Sequence, residues 1–148
     1  MPATLKAMWD SWHAEARLRV RYAETDQMGV VYHANYLVWF EVARVELMRS
    51  IGLIYADLEK EHGCMIAVVG VEARYRAPAR YDDEIAIRTR ITALRGSLLK
   101  IAYQVVRLAD SKLLTEGETT HIVVDREMSK RELPADYAAG FQRFMDAE

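Results

Sequence analysis

The run Asn35-Tyr-Leu-Val-Trp-Phe-Glu-Val-Ala-Arg-Val-Glu-Leu-Met-Arg-Ser-Ile51 limits the fold more than any other part of the chain. Asn35 is a favoured N-cap residue and Gly52 supplies a C-terminal stop, which predicts a helix of about 16 residues, roughly 24 Å long. Its charged positions are Glu41, Arg44, Glu46 and Arg49, mostly in the second half, so apolar side chains occupy most of its circumference. A helix of this kind must be wrapped by other structure.

The rest of the chain supplies the wrapping. From Arg17 to Tyr22 the residues alternate, with Leu18, Val20 and Tyr22 opposite Arg17, Arg19 and Arg21, as in a half-buried strand. A short helix is expected from Tyr55 to His62, ended by Gly63. Beyond it the period becomes two. Val71, Ala73 and Tyr75 alternate with Glu72, Arg74 and Arg76, and Ile85, Ile87 and Ile91 stand against Arg88 and Arg90, with Pro78 in the break between the two strands. Arg95-Gly96-Ser97 and Asp110-Ser111-Lys112 read as turns into strands at 98–108 and 113–124. Pro134 with Tyr137, Phe141 and Phe144 marks a short amphipathic C-terminal helix. This order predicts one α+β domain over 1–148, a five-stranded antiparallel sheet curled around the long helix. Such a sheet is open, and exposed edges are paired or covered in natural proteins, so an oligomer is expected.

Composition removes several function classes. The 148 residues are 51% hydrophobic and 28% charged, which excludes a disordered tail, and no segment approaches the ~20 apolar residues of a membrane span. With 20 Lys+Arg against 22 Asp+Glu the net charge is −2, which offers bulk nucleic acid no electrostatic purchase. A single cysteine, Cys64, forms no internal disulfide and reads as a small apolar residue beside Gly63. Residues 1–15 lack the unbroken apolar core of a secretory signal, and a cytoplasmic location is the expectation. His13, His62 and His121 have no metal-ligand spacing, so no metal is expected.

The chemistry concentrates in Tyr22-Ala-Glu-Thr-Asp-Gln-Met-Gly-Val-Val-Tyr-His-Ala-Asn-Tyr36, between the first strand and the long helix. Asp26 is followed by a Gly-containing loop that presents backbone N–H groups at a helix start, where partial positive charge favours an oxyanion. A carboxylate beside an oxyanion hole suits acyl transfer. The same residues also read as a turn-capping aspartate and an ordinary helix-start histidine.

This motif resembles the N-terminal signature of the hotdog-fold acyl-CoA thioesterases of the 4-hydroxybenzoyl-CoA thioesterase class, in particular the YbgC-type branch associated with the Tol-Pal system. The resemblance continues through Arg76-Ala-Pro-Ala-Arg-Tyr-Asp-Asp83, Thr115-Glu-Gly-Glu118 and Val123-Val-Asp125, and covers about 18–134. It implies the hotdog fold and an acyl-CoA substrate, with no separate cofactor because coenzyme A belongs to the substrate. It places the catalytic carboxylate on Asp26 and the oxyanion donor on the backbone N–H of His33, whose imidazole would protonate the leaving group or position water. Tyr32, Asn35 and Tyr36 would shape the loop or acyl pocket, Met65 would lie near the pantetheine arm, and Arg95 and Lys130 would meet the phosphates. The resemblance further implies a homodimer with the site at its interface, paired into a tetramer, and association with Tol-Pal or an acyl carrier protein. Asp26 would act as nucleophile or as general base, and ionisation at neutral pH favours the nucleophile. Two alternatives are a hotdog dehydratase or hydratase, whose motif is missing, and a non-catalytic acyl-CoA or acyl-carrier-protein binding partner. Tyr32, Tyr36, Trp39 and Phe40 serve either an aryl pocket or the core, which leaves the acyl group open.

Overall fold

A computed structural model describes residues 12–146, and in it the apolar run forms helix α1 (Asn35–Ser50). Five strands pack along one side of it: β1 (Ala14–Arg19), β2 (Met65–Tyr75), β3 (Glu84–Arg95), β4 (Leu98–Arg107) and β5 (Lys112–Val124). They form one antiparallel sheet in the order β1-β3-β4-β5-β2, so the meander of β3, β4 and β5 lies at the centre and β1 and β2 are edges. Helix α2 (Tyr55–His62) stops where expected, at Gly63 in the left-handed conformation, and α3 (Ala135–Asp146) follows the sheet. Of the first fifteen residues, read above for a secretory signal, 1–11 lie outside the described residues.

The sheet grips α1 through ring contacts. Phe40 stacks on Tyr103 of β4 with ring centroids 4.2 Å apart, and opposite Tyr103 stands Gly117 of β5. A Cβ on Gly117 would sit 2.6 Å from the Phe40 ring, closer than carbon atoms approach, so the position accepts only hydrogen while Phe40 stays in place. Tyr36, Trp39, Phe40, Ala43 and Leu47 are buried against this concave face. The grip is one-sided. Leu37, Val38 and Val42 on α1, and Val68, Val71 and Tyr75 on edge strand β2, remain between 38% and 52% exposed.

Three expectations change. β1 ends at Arg19, and Tyr22 belongs to a 3-10 turn over Tyr22–Glu24 with its ring 77% exposed, because the chain must turn there to reach α1. Asn35 does not cap α1. Ala34 takes that position, and the Asn35 amide donates instead to the Glu24 carbonyl at 2.8 Å. Arg88, placed on a solvated face by alternation, is buried and ion-paired to Glu15 at 2.9 Å. The edge strand also carries a register break between Val68 and Gly70 that alternation alone did not disclose.

Glu24 ties the loop to the helix. Its buried carboxylate accepts the Trp39 indole N–H at 2.7 Å through Oε2 and the Arg21 amide N–H at 2.8 Å through Oε1. Its carbonyl receives the Tyr32 N–H at 2.9 Å as well as the Asn35 amide. One residue thus fixes both ends of the loop that contains Asp26.

A second polar group crosses the concave face. The Arg44 guanidinium lies 3.3 Å from Tyr103 Oη, which is 2.7 Å from Thr119 Oγ1, itself 2.7 Å from His121 Nε2. Arginine only donates, so the direction that gives each hydroxyl proton an acceptor runs from Tyr103 to Thr119 to His121. It leaves the imidazole neutral with its proton on Nδ1, a buried atom that finds no partner among the described residues. Burial, and secondarily the Arg44 charge, pushes the His121 imidazole down to about 4.

Two outcomes follow from these contacts. Glu24→Ala, which strands the Trp39 indole N–H, lowers unfolding free energy by about 1–3 kcal/mol, and far less when Trp39 is already Phe; a double-mutant cycle in urea measures the coupling. Because His121 is harder to protonate folded than unfolded, its contribution is complete above pH 6.5 and is lost as pH falls from 6.5 toward 4, on the order of 3 kcal/mol. Urea unfolding across that window is therefore less pH-dependent in His121→Gln than in the native chain.

Candidate active site

The loop carrying Asp26 is closed on itself before it meets α1. Thr25 bridges Val31, and the Asp26 N–H donates to the Val30 carbonyl at 2.9 Å. Gly29, at φ 76°, lets its own N–H return to the Asp26 carbonyl at 2.9 Å. The Met28 N–H reaches Asp26 Oδ1 at 2.9 Å, so the aspartate does hold a turn, as its bland reading expects. That contact uses one oxygen. Among the described residues Oδ2 has no hydrogen-bond partner, and the side chain is half-buried.

Beyond the loop the backbone enters α1 with donors unspent. The Val31 N–H is tied to the Ala79 carbonyl and the Tyr32 N–H to Glu24, whereas the His33 and Ala34 N–H groups make no bond among the described residues. They precede the positive end of α1, where an oxyanion gains from dipole and donors together. His33 is held from the other side, since Tyr75 Oη donates to its carbonyl at 2.9 Å. Rings of Tyr32, His33, Tyr75 and Tyr36 then follow one another at centroid separations of 4.6, 6.2 and 5.3 Å. Tyr36 is buried and accepts the Ala79 N–H at 3.1 Å, and burial pushes its phenol up, so it stays uncharged.

Five of the eight residues singled out in the sequence, Asp26, Tyr32, His33, Asn35 and Tyr36, lie at this end of the sheet. The other three do not. Met65 begins β2 opposite Val124, Lys130 bridges that same Val124, and Arg95 closes the β3–β4 hairpin opposite Leu98. β2 runs from Met65 to Tyr75, about 30 Å at ~3.3 Å per residue, so within one chain these three stand at the far end. Of the four aromatics left undecided, Tyr36, Trp39 and Phe40 are core and Tyr32 is 48% exposed.

Glu24 and Tyr75 escaped the sequence reading. Glu24 sits among other polar loop residues, and Tyr75 reaches His33 across 42 positions of chain. Neither relation leaves a periodic trace. Cys64 is buried with its thiol 3.6 Å from the His62 carbonyl. Among the described residues no cluster of three or more potential metal ligands occurs, and no helix is long and apolar enough to cross a membrane.

Comparison with known proteins identifies the family. The family model of the thioesterase-like superfamily matches residues 20–141. The chain is 39% identical over 117 residues to a putative acyl-CoA thioesterase of Bacillus subtilis, YneP, covering 79% of this chain and 83% of that protein. It is 38% identical over 127 residues to the acyl-CoA thioester hydrolase YbgC of Escherichia coli O6:H1, covering 85% and 93%. The crystal structure of a DHNA-CoA thioesterase from Staphylococcus aureus superposes with a TM-score of 0.85 at 28% identity, covering 90% of this chain and 91% of that one. A long helix gripped by a five-stranded antiparallel sheet is the hotdog fold, and with matches spanning most of its length the chain belongs to the thioesterase-like superfamily.

Proposed function

We propose that this protein hydrolyses acyl-CoA thioesters with Asp26 as the reacting carboxylate. The observation that carries the reading is the pairing of a carboxylate with one uncommitted oxygen and, on the same loop, an unspent His33 N–H at the start of α1. In the favoured course, Asp26 Oδ2 attacks the thioester carbon and the carbonyl oxygen becomes an oxyanion that accepts the His33 N–H. Collapse expels the coenzyme A thiolate, which takes a proton, and leaves a mixed anhydride. Water then hydrolyses the anhydride, releasing the acid and restoring the carboxylate. In the other course Asp26 takes a proton from water, which attacks the same carbon. The exposed imidazole of His33 is available for proton delivery in both. The resemblance of the chain to YneP and YbgC supports this substrate class.

The same reading requires a second copy. β2 has an unpaired edge, and its inward residues Val68, Val71 and Tyr75 form one apolar surface with Leu37, Val38 and Val42 of α1. Two β2 strands pairing antiparallel about a two-fold axis cover this surface. The pairing also sets the Met65 end of each chain against the Tyr75 end of the other. Met65, Arg95 and Lys130, remote from Asp26 within one chain, then approach the partner subunit's Asp26 and offer the pantetheine arm and phosphates a path.

Release of coenzyme A thiol from a panel of short, long and aromatic acyl-CoAs tests the chemistry: the native protein turns over, and Asp26→Asn falls at least ~100-fold. Binding without turnover by the native protein would identify a binding module instead. Val71→Lys, which charges the exposed half of the edge strand, is expected to give a monomer by sedimentation and to lose turnover with it. A fully active monomer would sink the shared site.

A further inference from the structure

Beside α1, at the β2 side of the sheet, lies a cavity of ≈ 180 Å³. Its walls are mostly apolar, with Met48 from α1, Ile66 from β2, Leu99 from β4 and Phe141 from α3, and Arg44 enters from the helix. The Arg44 side chain is half-buried. Among the described residues its one hydrogen bond is the long one to the Tyr103 phenol, and none of their carboxylates lies within ion-pair distance. Other sheltered guanidiniums are treated differently: Arg88 holds Glu15 at 2.9 Å, and Arg107 holds Asp110 at 2.9 Å and Asp83 at 3.6 Å. A cation drawn partly out of water with only a neutral partner is costly unless something supplies the opposite charge.

We propose that Arg44 is a specificity-determining residue that selects acyl groups ending in a carboxylate, the tail filling this cavity and the carboxylate meeting the guanidinium. This rests on the acyl-CoA thioesterase reading and its dimer, which sets Ile66, at the cavity wall beside Met65, against the partner subunit's Asp26. Size fits a short tail, since an apolar cavity of about 150 Å³ admits a group as large as benzene. Charge decides the rest. An alkyl tail would displace water from Arg44 and return nothing to it, whereas a carboxylate makes paired charge-assisted hydrogen bonds in the geometry that guanidinium favours. Tyr103 does not compete for Arg44's remaining N–H groups, because one donor satisfies its oxygen and its proton is directed to Thr119. Glu41 also lines the cavity, but it is exposed, so water screens its repulsion.

The test compares ω-carboxyacyl-CoAs of four to eight carbons with neutral isosteres in which a branched methyl end replaces the carboxylate, glutaryl-CoA against 5-methylhexanoyl-CoA among them. For at least one pair, kcat/KM of the native protein is expected to favour the acid by about tenfold or more, the scale of a charged hydrogen bond. Arg44→Gln abolishes that ratio and Arg44→Lys restores part of it, with thermal melts confirming folded protein. Turnover of the neutral members at rates equal to or above the acids, or a Gln variant that keeps the ratio, overturns the proposal while leaving the thioesterase reading intact. No turnover in any member overturns the thioesterase reading instead. Calorimetric titration of the same pairs then decides for Arg44: tighter binding of the acid, lost in Arg44→Gln, supports it, and equal binding ends it.

Discussion

Everything in this molecule answers to the need to bury a helix that is apolar on nearly every side. A sheet has one concave face and wraps only part of a cylinder, so the grip of β4 and β5 on Phe40 leaves the flank of Leu37, Val38 and Val42 open. The close approach of Phe40 to Gly117 is what that grip demands locally. The open flank is what it demands globally. In the proposed dimer a second molecule completes the core, and in the proposed specificity the cavity beside the helix takes the substrate tail.

The proposed chemistry uses the N-terminal end of the same helix. A helix N-terminus is rich in donors, but those donors serve a reaction only if the incoming chain holds the nucleophile still and does not use them up. Glu24 meets both needs. By accepting the Trp39 indole N–H, the Arg21 N–H, the Tyr32 N–H and the Asn35 amide it anchors the loop on either side of Asp26, and among the described residues the N–H groups of His33 and Ala34 are left unspent. Tyr75 completes the arrangement by taking the His33 carbonyl in place of its amide. In that proposal the loop is anchored by groups that need not touch substrate.

What the sequence disclosed divides along the same physical line. Periodicity and glycine placement are local signals, and they located α1, α2 with its stop at Gly63, the strand meander and the C-terminal helix close to their observed limits. The loop motif pointed to Asp26 and His33 as candidates because they lie within a few positions of one another in the chain. Relations made through space left no such mark. The burial of Arg88 follows from Glu15 across the sheet, and the anchoring of Asn35 follows from Glu24 rather than from its own capping tendency. Tyr22 shows the limit of alternation, which continues through a turn whenever the turn happens to carry an aromatic residue.

The length of β2 has a genetic consequence. In the proposed dimer each site joins the Asp26 end of one chain to the Met65 end of the other, so lesions at the two ends combine in an unusual way. When two chains each carry one of the lesions, both defects fall in the same site and the second site remains whole. When one chain carries both and its companion is intact, each of the two sites receives one defect. A doubly altered chain therefore poisons a mixed assembly more thoroughly than two singly altered chains do, the reverse of what independent subunits would show.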